Sequence, residues 1–196
     1  MKLTKIEGII SIGVLVASGL RAGPADVDVD LARLLASSAT RQEALARVAA
    51  SPNTTVPVLL LWTQTPPRGV DAYELKVGLA DAFAKLRTEA AIPFLIREIS
   101  MRRDRDVDFA PWLKSATAVE YTFPAANALI QIGPAASKRV IAAAQGSMPA
   151  RDLLTAIFVV GRVRGVPEAY GFLTAARAEA KSELAWAELG LKALEP

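Results

Sequence analysis

The sequence predicts an all-α chain, a short α-solenoid of about four stacked helix pairs, on three observations. Apolar residues make up 52% of the chain but aromatics only 6%, so the apolar content is largely Ala, Leu, Val and Ile, and chains rich in Ala and Leu favour close-packed helices. Apolar side chains recur at three- and four-residue intervals along most of the chain, which is the period of one helix face. The segments so marked share an outline: an Ala-rich helix, a break of two to five residues, then a second helix opened by proline or small residues.

The first element stands apart from the stack. Lys2 and Lys5 precede an apolar run from Ile9 to Ala17, and the small residues Ser18 and Gly19 follow. That order matches a secretory signal. Only 13 uncharged residues separate Glu7 from Arg21, whereas a membrane span needs ~20. Residues 1–22 are therefore expected to be a signal peptide, cleaved after Gly19 or Ala22, and the chain to be exported, periplasmic or extracellular, touching a membrane only through this segment. The competing reading is a short apolar helix of a cytoplasmic protein, for which Glu7 speaks. Residues 23–196 form the helical domain, whose length suits one core.

Within that domain the acidic run Ala25 to Asp30 leads into a helix from about Asp30, marked by Leu31, Leu34 and Leu35. Thr40 three residues before Glu43 has the spacing of a capping box, with Ala44, Leu45, Val48 and Ala49 on one face. A helix from about Thr55 to Thr63, with Pro57 in its first turn, is apolar nearly all round, which predicts burial between neighbours. Leu75, Leu79, Phe83 and Leu86 mark the clearest amphipathic helix, with Asp81 placed four residues before Lys85. Ile92, Leu95, Ile96 and Ile99 mark its partner. The segment 102–121 breaks the period and reads as an irregular insert with a short helix from Pro111. Leu129 and Ile132 resume the pattern, and Gly133-Pro134 stops one helix and starts the next. Leu153, Leu154, Ile157 and Val160 lie on a helix interrupted at Gly161 and Gly165; Val166 to Ala176 form its partner, and a last helix begins at Ser182.

Aligning AFAKLRTEAAIPFLI, ANALIQIGPAASKRVI and FVVGRVRGVPEAYGFL makes Leu86, Ile132 and Val163 equivalent, at spacings of 46 and 31 residues. The longer interval holds the insert, so the unit is about 30 residues. At Ile92-Pro93, Gly133-Pro134-Ala135-Ala136 and Val166-Pro167 the chain resembles the HEAT-like repeats of phycobilisome-lyase-type proteins, from about Thr40 to Pro196. The resemblance implies a scaffold that binds a protein or peptide partner. It also brings in a tetrapyrrole carrier or lyase-like protein as an alternative, and a cytosolic nucleic-acid-binding HEAT-like protein as another. A plain helical bundle is the simpler architecture compatible with the same periodicity.

The chain has no cysteine and no histidine, which removes thiol nucleophiles, disulfides, histidine general bases and nearly every zinc, copper or haem site. No serine stands in G-x-S-x-G or three residues before a lysine, and no Gly-rich phosphate loop occurs. The expectation is a non-enzyme without cofactor. The formal charge is +3, and removing the three basic residues and one acid of the leader leaves +1, so composition gives no argument for nucleic acid.

Asp104, Asp106 and Asp108 open like a calcium loop, but Phe109 stands where the turn glycine belongs and Ser115 where the closing glutamate belongs; Asp26, Asp28 and Asp30 fail likewise. The insert nevertheless concentrates charge and aromatics, and Arg102, Arg103, Arg105, Phe109 and Trp112 are the candidate partner-binding residues. Arg151, Arg162 and Arg164 form a second basic group, while Trp62 and Trp186 read as packed side chains.

Overall fold

Proline opens helix after helix in this chain: Pro24, Pro52, Pro124 and Pro134 each occupy a first helical position, where the missing N–H would have had no intrahelical partner. The computed structural model describes residues 24–105, 116–145, 148–169 and 171. Every regular element among them is helical. The order is α1 (Pro24–Ala36), α2 (Arg41–Ala50), α3 (Pro52–Trp62), α4 (Ala72–Leu86), a 3₁₀ turn (Glu89–Ala91), α5 (Ile92–Arg97), α6 (Ala116–Thr122), α7 (Pro124–Ile132), α8 (Pro134–Ala144) and α9 (Ala150–Arg164).

A row of contacts links α1 to α4, α4 to α7 and α7 to α9, the last less extensive than the contact of α8 with α9. Beside that row α2 leans on α1 and α4, α5 on α7 and α8, and α8 on α7 and α9. Helix α4 sits between neighbours and is apolar well beyond one stripe: Leu75, Val77, Leu79, Ala80, Ala82 and Phe83 are all buried. The core continues through Leu35, Ile92, Leu95, Leu129, Ile157 and Phe158, each fully buried and each contributing about 1.5–3 kcal/mol relative to exposure. Phe83 and Phe94 meet edge to face at 6.0 Å, joining α4 to α5.

Two glycine positions explain the close geometry. Gly78 lets the backbone of α1 approach α4: a Cβ added there would lie 2.3 Å from the Leu35 carbonyl oxygen. Gly133 has φ 86° and ψ −139° and is the single residue between α7 and α8, a conformation glycine adopts without a Cβ penalty.

Several local expectations are corrected. Helix α1 begins at Pro24 rather than near Asp30, because proline suits the first turn of a helix. Thr40 does not cap α2: its hydroxyl donates to the Leu34 carbonyl at 3.0 Å, and Glu43 pairs with Arg47. Helix α3 starts at Pro52, leaving Pro57 in its interior. It is not enclosed on all sides either, since Leu59 and Trp62 are buried but Leu61 is 61% exposed. Asp81 pairs with arginines far away in sequence instead of Lys85. Gly161 is buried inside a continuous α9, which ends only at Gly165. The short helix expected within the insert is present over Ala116–Thr122, while residues 106–115, including its expected start at Pro111, lie outside the described residues.

Candidate functional site

A groove of about 1190 Å³ opens where the α1–α2 turn, α2, α4, the loop after α5 and α7 converge. Its lining is polar and charged, with five cationic side chains (Arg41, Lys85, Arg87, Arg103, Arg105) and three acids (Glu74, Asp81, Asp104). Tyr121 from α6 and Asn127 and Gln131 from α7 line it as well.

The floor is a fixed ion network. Arg41 shares the face of Ala44 and Val48 and is buried with them. Its Nε donates to the Leu35 carbonyl at 2.9 Å, answering one of the carbonyls that the end of α1 leaves without a helical partner. One terminal nitrogen donates to Glu74 at 3.1 Å, and the other lies 3.7 Å from Asp81. Asp81 in turn accepts both ends of the Arg103 guanidinium at 2.7 Å, a bidentate pairing that is strong and directional. That carboxylate holds Arg103 more firmly charged than a free arginine, against the opposing effect of burial. Arg103 also donates to the Tyr121 carbonyl at 3.1 Å and lies over the Tyr121 ring at 5.1 Å.

A second cluster holds Arg105. Asp71 caps α4, accepting the N–H groups of Tyr73 and Glu74 at 2.8 and 3.0 Å. The Glu74 N–H is the main cause of a carboxyl pKa below the usual aspartate value, with the Tyr73 N–H and the Arg105 charge adding to it against desolvation. Arg105 stacks on the Tyr73 ring at 4.0 Å and reaches Asp71 at 3.3 Å. The Tyr73 hydroxyl donates to the Arg102 carbonyl at 2.6 Å, and burial pushes its pKa up. Through these bonds α4 holds the loop 101–105 at both Arg102 and Arg103.

Of the residues singled out in the sequence, Arg103 and Arg105 line the groove, with Arg103 turned inward onto Asp81. Arg102 is half-buried and joins through its carbonyl. Phe109 and Trp112 lie outside the described residues, as do Trp186 and the leader 1–22. Trp62 is packed, at 6% exposure. The second basic group does not converge: Arg151 is at the opposite end of α9 from Arg162 and Arg164, Arg162 pairs with Glu120, and Arg164 meets Ser137 and Glu168. Among the described residues no group of three acids could hold a metal ion, and no helix is long and apolar enough to cross a membrane.

Arg41, Glu74, Asp81, Lys85, Arg87, Asn127 and Gln131 were not singled out by sequence reasoning as site residues. One signal was available: Arg41 falls three and seven residues before Ala44 and Val48, a charge on a face that otherwise reads as core. Comparison of the chain with protein-family models, with characterised proteins and with solved structures finds no match.

Proposed function

We propose that this chain is a non-catalytic binding module, a short α-solenoid of HEAT-like helix pairs that holds a peptide segment of a protein partner in the groove beside α4. The observation that carries the reading is the groove itself, an open, polar trough whose walls come from several helices and whose floor is braced by the Arg41–Asp81–Arg103 network. Its volume exceeds the ~300–1,000 Å³ of a usual small-molecule pocket. A braced floor with polar walls suits an extended chain, whose backbone needs donors and acceptors along its length. The row α1, α4, α7, α9 with flanking helices supports the solenoid reading, because stacked pairs would bring one helix of each unit into such a row. Export is part of the proposal, and intact mass of the protein from its native host, reduced by the first ~19–22 residues, tests it.

Panning a displayed library of random 12-residue peptides against the full chain tests the binding mode. Enriched peptides should bind the wild type and be lost in Gln42→Trp and Gln131→Trp, which place rings in the groove from two exposed positions without lowering the melting temperature. No enrichment, or enriched peptides indifferent to both substitutions, would overturn the reading.

A further inference from the structure

The charges of the groove divide into two kinds. Arg41 and Arg103, at 6% and 20% exposure, are matched by Glu74 and Asp81, and Arg105 by Asp71, so their charges are already compensated by groups beside them. Lys85 and Arg87, from the end of α4, line the same groove without an ion-pair partner among the described residues. These are the cations left for a ligand.

Arg87 is also the one non-glycine residue with positive φ among the described residues, at φ 50°. Its N–H donates to the Ala84 carbonyl and the Thr88 N–H to the Phe83 carbonyl, the double bond pattern that closes a helix with a left-handed residue, a place where glycine is least strained. A long cation stands there instead, with its side chain at the groove, in a backbone conformation that an L side chain strains to adopt. Asn127 and Gln131, which also line the groove, are four residues apart on α7, hence on one face, and each amide can donate and accept. Tyr121, 69% exposed, offers an apolar surface between them and the loop.

From this arrangement we infer that the groove takes an acidic peptide segment, with spaced carboxylates at Lys85 and Arg87 and its backbone along the Asn127–Gln131 wall. The inference rests on the peptide-binding reading and narrows it. Nucleic acid fits less well: a strand carries a negative phosphate at every nucleotide, and Glu74, Asp81 and Asp104 line the same trough and would repel so uniform a charge. A peptide with separated acids places its charges at the rim and neutral stretches over those three.

The test uses fluorescein-labelled 12-residue Ser/Ala peptides carrying Glu, Gln or Lys at every third position, and a 12-nucleotide single-stranded DNA, titrated against the full chain by anisotropy at low and high salt. The Glu peptide should bind at least about tenfold more tightly than the Gln peptide and weaken with salt. Lys85→Gln combined with Arg87→Gly should bring its affinity down to the Gln level, while Arg87→Gly alone raises the thermal midpoint. A purely structural role for Arg87 would not separate those two readouts. Equal binding of Glu and Gln peptides, or full affinity in the double variant, overturns the acidic preference while leaving the peptide-binding reading to the library experiment. DNA binding as tight as the Glu peptide overturns it in favour of a general polyanion site. Failure of all three peptides overturns it as well, and panned neutral peptides would then show that the broader reading survives alone.

Discussion

Gly78→Ala would test the junction on which both the fold and the groove depend. The added Cβ would lie 2.3 Å from the Leu35 carbonyl oxygen and 2.8 Å from its carbon, so α1 must retreat by about 1 Å to reach an ordinary contact. Overpacking of this kind costs ~1–3 kcal/mol. The displaced carbonyl is the one that accepts from Arg41 at 2.9 Å, and a hydrogen bond to a charged group contributes ~1.5–3 kcal/mol, part of which is lost. Alanine returns ~1 kcal/mol of helix propensity. The net expectation is a destabilisation of about 1–3.5 kcal/mol, read as a lower urea midpoint at constant slope and a thermal midpoint lower by on the order of 5–10 °C. In a double-mutant cycle with Arg41→Ala the two losses should be less than additive, because they share one hydrogen bond. A Gly78→Ala protein as stable as the wild type would refute the close approach of α1 to α4, and strict additivity would refute its link to Arg41.

Three further outcomes follow from the geometry. Asp81→Ala should destabilise by about 2–4 kcal/mol in urea unfolding, since it strips Arg41 and Arg103 of a shared carboxylate where neither is well solvated, and Asp81→Asn should lose less. Leu59→Ala should cost about 2–4 kcal/mol while Leu61→Lys, two residues along the same helix but 61% exposed, should stay within ~0.5 kcal/mol of wild type by thermal melting. The folded-state pKa of Asp71 is depressed, so its contribution is fully present above the unfolded aspartate value and is lost as pH falls through the lower folded value. The stability gap between wild type and Asp71→Ala should therefore be constant from about pH 5 to 7 and shrink below ~pH 3.8.

The helical nature of the chain was legible because burial imposes a period on the sequence: Leu75, Leu79 and Phe83 announce α4, and Gly133-Pro134 announces the corner between α7 and α8. What local spacing could not reveal is which partner a polar group chooses when several compete. Thr40 has a capping-box neighbour, yet its hydroxyl goes to Leu34, whose carbonyl lies at the end of α1. Asp81 has Lys85 one turn on, yet it goes to Arg103, 22 residues away, whose bidentate fork outcompetes a flexible ammonium. Helix α3 shows a third limit, because apolar residues on every side report composition and not enclosure. The groove was invisible for the same reason: its lining comes from segments spread over nearly a hundred residues, joined only by the packing of α1, α4 and α7.

The corner at Gly133 has a mechanical consequence. With one residue between Ile132 and Pro134, α7 and α8 have no slack to turn separately, and α8 is in turn seated on α9. Tilting the wall that bears Asn127 and Gln131 therefore drags two more helices with it, so that side of the trough resists widening.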